Sequence, residues 1–258
     1  MSMKHVIRLI AAAGCIVLAA AAVSSPISAY AFTLRDDVPM PESAWLLVDD
    51  AAAPVFAESA PMMIALTFDD GPHKTYTAQL LDYLKRENIR ATFFVIGTRA
   101  KKNESLIARM AMEGHQIGNH GYDHTSFTKL TDAQINDQLR KTADIIEHAT
   151  GARPTMIRPP YGSTNERVLA VLNMPCILWS VDPRDWNTRS ATEVYEHVVK
   201  RAKAGDIILL HDIRKHTIEA VKLIVPALKA KGFLFVTVEE LLMNLYGELD
   251  SVLYKRAK

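Results

Sequence analysis

The sequence predicts an α/β fold in which about seven parallel strands alternate with helices and close, or nearly close, into a barrel. Two observations lead there. Short, near-continuously apolar runs recur from Met62 onward, as strands covered by helices require. Five of these runs end in turns bearing polar residues: Asp69-Asp70-Gly71-Pro72, His120-Gly-Tyr-Asp-His124, Arg158-Pro-Pro-Tyr161-Gly, Asp182-Pro-Arg-Asp185-Trp186 and His211-Asp212. Chemistry gathered at the C-terminal ends of strands is the habit of α/β barrels. An open doubly wound sheet is the alternative.

The strand candidates are 63–68, 91–96, 116–118, 155–157, 177–181, 207–210 and 233–238. Between them lie helix patterns. Leu80, Leu81 and Leu84 mark the first. Thr131-x-x-Gln134 is a capping box opening a helix with Ile135, Leu139, Thr142 and Ile146 on one face, stopped by Gly151 and Pro154. Ser190-x-x-Glu193 starts another, with Val194, Val198 and Ala202 on one face and Gly205 ending it. Ile218, Val221, Ile224 and Leu228 face one way on a later helix that Pro226 is expected to kink. Strands interleaved with helices imply right-handed crossovers. No G-x-G-x-x-G follows the first strand, so no nucleotide cofactor is expected.

The N-terminus is set apart. Lys4 and Arg8 precede an apolar run over 9–23, followed by Ala29-Tyr30-Ala31. That is the pattern of a secretory signal, residues 1–31, cleaved after Ala31 and directing export to the periplasm, cell envelope or exterior. A retained segment would anchor the protein, although the run is shorter than the roughly 20 residues that span a bilayer. Gly14-Cys15 is a weaker lipid-attachment candidate, because the apolar run continues past it. Residues 32–61 read as a connector with an apolar patch at 44–48, and 62–258 as the catalytic domain. Cleavage takes Lys4 and Arg8 from 30 cations and nothing from 29 acids, for a net charge of −1. Such a balance leaves no basic footprint for nucleic acid. It also leaves Cys176 alone in an apolar run, read as a buried inert thiol, with no intramolecular disulfide.

Asp69 and Asp70 stand where the chain leaves a strand, and the Gly-Pro turn after them can bring both carboxylates to one pocket. His120 and His124 can ligate one ion if their segment makes a helical turn. With a carboxylate they form a two-His, one-carboxylate set that leaves positions open for water and substrate. One divalent metal is expected: Zn²⁺ by default, with Co²⁺, Ni²⁺ or Fe²⁺ suiting the same ligands. His211, on the side of its strand that carries Leu209, is a candidate general acid if a carboxylate pairs with it.

In order, TFDDGP, H-x-x-x-H, RPPYG, D-x-x-D-W and LLHD resemble the five motifs of the polysaccharide deacetylases of carbohydrate esterase family four, over about residues 62–242. The resemblance implies a deformed (β/α) barrel of about seven parallel strands, NodB-like, that removes acetyl groups from an N-acetylated glycan. It implies Asp69 as catalytic base and Asp70, His120 and His124 as metal ligands. Arg158 would hold the base, and the Tyr161 backbone N–H would serve as oxyanion donor. Asp185 would keep the acid His211 protonated, and Trp186 and Leu209 would wall the acetyl-methyl slot. Peptidoglycan N-acetylglucosamine leads as substrate, chitin or chitooligosaccharides follow, and an O-acetyl xylan esterase would use the same centre. An inactive glycan-binding member would lack the base or a ligand, and none is missing here. N-terminal sequencing of the exported protein should begin at Phe32; finding Met1 on membrane-bound protein would favour the anchor.

Overall fold

The computed structural model describes residues 61–247 and 253–254. The signal segment, most of the connector and its patch at 44–48 lie outside the described residues. The central strand, β1 (Met62–Asp69), is buried over all but its first residue. It pairs in parallel with β2 (Thr92–Val95) and β5 (Ile207–His211), and its first residues pair with β6 (Phe233–Phe235). β3 (Gln116–Asn119) joins β2, giving the order β3-β2-β1-β5. The short β4 (Cys176–Ile177) pairs with β7 (Leu253–Tyr254).

These ladders do not close a barrel. Single parallel bridges carry the circuit onward: Asn119 with Ile157, Ile157 with Cys176, and Val181 with Ile208. The expected strand at 155–157 is therefore one bridging residue, and the one at 177–181 is cut to a two-residue ladder and a bridge at Val181. Pro154, Pro159 and Pro175 around these pieces cannot donate ladder hydrogen bonds, which shortens them. The expected strand at 233–238 also ends early. Thr237 and Glu240 form a capping box, so Val238 already opens a helix. β7 was not expected, since nothing in its short, polar surroundings marks a strand.

Of the expected helices, α1 (Tyr76–Arg86) buries Leu80, Leu81 and Leu84. Two segments not foreseen follow it, α2 (Gly97–Ala100) and α3 (Glu104–Met112). α4 (Asp132–Thr150) carries the Thr131–Gln134 capping box and ends at Gly151 with φ 78°. A further unforeseen helix, α5 (Glu166–Leu172), is capped by Asn165. α6 (Ala191–Arg201) is capped by Ser190 and stops before Ala202, short of Gly205. α7 (Lys215–Ala230) runs as one helix through Pro226. Proline removes the N–H that would bond the Lys222 carbonyl, and the Tyr83 hydroxyl donates to that carbonyl at 3.4 Å.

Alternation along β1 and β5 sorts two cores. Ile64, Leu66, Phe68, Ile208 and Leu210 join the helix-facing cluster. Met63, Ala65 and Ile207 join Phe94, Met156 and Ile177 in the barrel interior. α8 (Val238–Tyr246) adds Val238, Leu241 and Leu242 to that interior cluster beside the start of β1, filling the end away from Asp69. Thr67, Asp69, Leu209 and His211 continue the interior series toward the C-terminal end.

His115, just before β3, accepts the Ala91 N–H at Nδ1 (3.2 Å) and lies edge-on to Phe93. Burial pushes its pKa down to about 4, against the Glu113 charge and with the help of Arg109 and Arg90. A depressed histidine stabilises the fold fully above its unfolded pKa, and that contribution is lost as pH falls from about 6.5 toward 4. The loss is on the order of 3 kcal/mol. Denaturant unfolding should show the native protein losing this increment relative to His115→Gln, which keeps an acceptor and does not titrate.

Candidate metal centre and active site

Parallel register sets the geometry. Asp69 lies opposite His211 on β5 and Phe94 on β2. One interior position earlier, the Thr67 hydroxyl donates to the Ile208 carbonyl at 2.6 Å. Arg158, fully buried, donates from Nη1 to Thr67 Oγ1 and to Asp69 Oδ1, both at 2.7 Å. Its Nε and Nη2 reach the carbonyls of Ile177 (3.1 Å) and Leu178 (2.9 Å). The guanidinium lies 4.2 Å from the Phe94 ring centre and 5.7 Å from that of Trp179. Burial lowers its pKa, and Asp69 opposes that shift.

Asp70 leaves β1 in the left-handed region, with φ 72°. His120 is buried, and its Nδ1 lies 2.6 Å from the Arg158 carbonyl. A carbonyl only accepts, so Nδ1 carries a proton and Nε2 is the nitrogen left to serve as a ligand. That Nε2 faces Asp70 Oδ1 at 3.5 Å and Asp69 Oδ2 at 3.7 Å, while His124 Nε2 lies 3.2 Å from Asp70 Oδ1. Asp70 Oδ1 is buried without a hydrogen-bond partner. Lone pairs of three ligand atoms converging within 4.8 Å repel unless a cation lies among them, and the donor set suits a divalent metal. Burial pushes the Asp70 carboxyl up, but with no metal present the facing His120, followed by His124 and His211, holds it well below the usual range whenever those rings carry a proton. Burial lowers the His124 pKa, against Asp70.

The histidines do not meet on a helical turn, contrary to the sequence expectation. Gly121 (φ 75°) and His124 (φ 68°) fold the segment into a tight loop. The Asn119 side chain accepts the Gly121 N–H at 2.9 Å and Gln138 accepts the Tyr122 N–H at 2.7 Å. This loop brings the two ring centres to 5.1 Å.

Across the cavity, His211 Nδ1 lies 2.7 Å from Asp185 Oδ1, and the His211 N–H donates to Oδ2 at 2.9 Å. Asp185 is fully buried; Thr217 donates to Oδ2 at 2.6 Å, and His216 Nε2 lies 2.7 Å from the Asp185 carbonyl. Burial would lower the His211 pKa. The hydrogen bond and charge of Asp185, with the charges of Asp69 and Asp70, overcome it and push the value up to about 9.

All ten expected residues meet here except that Arg158 and Asp185 stand behind the surface, each bonded to a residue on it. The cavity, about 380 Å³, is lined by Asp69, Asp70, His120, His124, Tyr161, Trp186, Leu209 and His211. Trp186 is 49% exposed and so is no core tryptophan. Tyr161 has φ 62°, and its ring centre is 4.4 Å from that of His124. Sequence reading missed Trp179 and gave no role to Asp182, the head of the D-x-x-D-W motif, though both line the cavity; it also missed the supports Thr67 and Thr217. Strand alternation could have found Trp179, since it shares a face with the interior Ile177. Behind the site, Asp212 is fully buried, with Thr77 bonded to its Oδ2; burial, opposed by Thr77 and aided by Asp70, pushes its carboxyl up to about 7.

A family model described as polysaccharide deacetylase matches residues 57–174. The peptidoglycan-N-acetylglucosamine deacetylase PgdA of Listeria monocytogenes is 44% identical over 72% of this chain, which spans 39% of that protein's length. A peptidoglycan-N-acetylglucosamine deacetylase of Bacillus cereus is 41% identical over 70% of this chain and 88% of its own. A family 4 acetyl xylan esterase from Clostridium thermocellum, solved in complex with a cobalt ion, superposes with a TM-score of 0.71 at 34% identity, over 75% of this chain and 98% of that one. The chain belongs to the polysaccharide deacetylases, the carbohydrate esterase family 4 fold.

In metal-stripped protein, imidazole NMR should place the His211 titration near pH 9. Asp185→Asn should bring it down, because the favouring charge is removed while burial remains. An unmoved midpoint would deny the carboxylate its part.

Proposed function

We propose that this chain hydrolyses the acetamide of N-acetylglucosamine residues in a β-linked glycan, most readily peptidoglycan, with a divalent metal, Zn²⁺ first. One observation carries the reading: an unpartnered Asp70 oxygen faces two histidine Nε2 atoms, between a base-type pair, Asp69–Arg158, and an acid-type pair, His211–Asp185. The names of the Listeria and Bacillus relatives support peptidoglycan. The signal-like residues 1–31 support export, with 32–61 as connector and 62–258 as the catalytic unit. Among the described residues no helix is long and apolar enough to cross a membrane.

Asp70, His120 and His124 would hold the metal, which supplies Lewis-acid polarisation of the acetyl carbonyl and a more acidic water. Asp69, fixed by Arg158, accepts the attacking water's proton. The Tyr161 backbone N–H stabilises the developing oxyanion. Trp186 and Leu209 wall the acetyl methyl. His211, protonated through Asp185, gives its Nε2 proton to the leaving nitrogen, which a neutral amine departure requires. An alkoxide needs that proton less. The cobalt-bound acetyl xylan esterase keeps O-deacetylation as the second reading.

Acetate release from peptidoglycan, chitooligosaccharides and acetylxylan, with Zn²⁺, Co²⁺ or chelator, tests the assignment. Peptidoglycan should lead and chelation should abolish release; a preference for acetylxylan would overturn the amide reading. Asp70→Ala and His120→Ala should lose metal and activity together. Asp69→Asn should keep the metal and lose roughly 10²–10⁴-fold in rate. Should that loss instead track metal loss, Asp69 and Asp70 have exchanged roles.

A further inference from the structure

Beyond the residues that line the cavity, the buried Asp212 carboxyl has no part in the proposed chemistry. Alternation along β5 turns His211 to the interior, and the next residue, Asp212, goes to the opposite side, where it is fully buried. Its Oδ2 accepts from Thr77, in the first turn of α1, and Thr77 Oγ1 in turn accepts the His73 N–H at 2.7 Å. Its Oδ1 has no hydrogen-bond partner. A buried polar atom left unsatisfied is costly, so something else must hold the carboxyl there.

Its other neighbour is Gly71. A Cβ added at residue 71 would overlap both Asp212 carboxyl oxygens. Gly71 is not among the residues with positive φ, so its missing side chain answers to space and not to backbone conformation. Asp70, by contrast, adopts φ 72°, a region that side chains adopt only when their surroundings impose it. Residues 70–77 are thus gripped at both ends by one carboxyl, against Gly71 and through Thr77. The Ile96 N–H adds a bond to the Gly71 carbonyl at 3.1 Å.

We infer that Asp212 is a positioning residue for the metal site: it fills the place of a side chain at residue 71 and holds Asp70 in the left-handed conformation that aims its carboxylate at His120 and His124. This rests on Asp70 being a metal ligand.

The test titrates Zn²⁺ alone into metal-stripped protein against a chromophoric chelator, with circular dichroism confirming the fold. Asp212→Ala should weaken Zn²⁺ binding about 10- to 100-fold, as loss of a ligand's support does. Asp212→Asn keeps the bulk and the Thr77 bond and should stay within about threefold. Gly71→Ala should also lose at least about tenfold. Adding Asp212→Ala to it removes the overlap, so the double variant should bind no worse than Asp212→Ala alone. Additive losses, or native affinity in folded Asp212→Ala, would overturn the inference. If Asp212→Ala does not fold, native affinity in Gly71→Ala overturns it instead. Native Zn²⁺ affinity in Asp70→Ala would bring down the ligand reading, and this inference with it.

Discussion

Asp69, Thr67 and His211 inherit their positions from the register between β1 and its parallel neighbours β2 and β5. Because side chains alternate with a period of two, a slip of one residue would send Asp69 and Thr67 into the helix-facing core and Phe68 into the cavity. The pairing of Asp69 with His211 and Phe94 prevents that slip. It is enforced by burial on both faces: Ile64, Leu66 and Phe68 on one side, Met63 and Ala65 on the other. Asp69 and His211 are then neighbours before any loop is placed.

The two ion pairs differ in kind. Arg158–Asp69 lies in the barrel interior, where the guanidinium is satisfied by two carbonyls, a hydroxyl and one carboxylate. A cation so surrounded is a fixed element of the scaffold, and its own carbonyl also sets the His120 tautomer. His211–Asp185 has its histidine at the cavity surface and its carboxylate buried behind, tied to α7 through Thr217 and His216. The first pair keeps its charge in place, and the second can pass a proton outward.

Much of this was legible in the chain. Polar residues at the ends of apolar runs marked the cavity, because strand ends are where side chains meet solvent and each other. Capping boxes at Thr131 and helix stripes such as Leu80, Leu81 and Leu84 are local signals, and they survive folding unchanged. What failed depended on partners far away in sequence. The His120–His124 loop is shaped by Gln138 on α4, and Ile157 pairs only as a single bridge between β3 and β4. The capping box at Thr237 was local and readable, but the apolar run before it masked the helix start. Thr67 and Thr217 carry no pattern of their own, since a hydroxyl gains meaning only from the carboxylate or guanidinium it meets.

Enzymes commonly carry active-site residues that the fold would be more stable without. The environment of Arg158 reverses that relation for Asp69. Among the described residues, its carboxylate is the one anion bonded to the fully buried Arg158 guanidinium. Truncating one partner of such a pair leaves an uncompensated charge in a medium of low polarity, at about 3–5 kcal/mol. A lineage drifting from this barrel could shed His211 or a metal ligand and still fold. Truncating Asp69 beside an unchanged Arg158 would carry that cost, whereas Asp69→Asn keeps an acceptor for the guanidinium, so stability resists the first exchange more than the second.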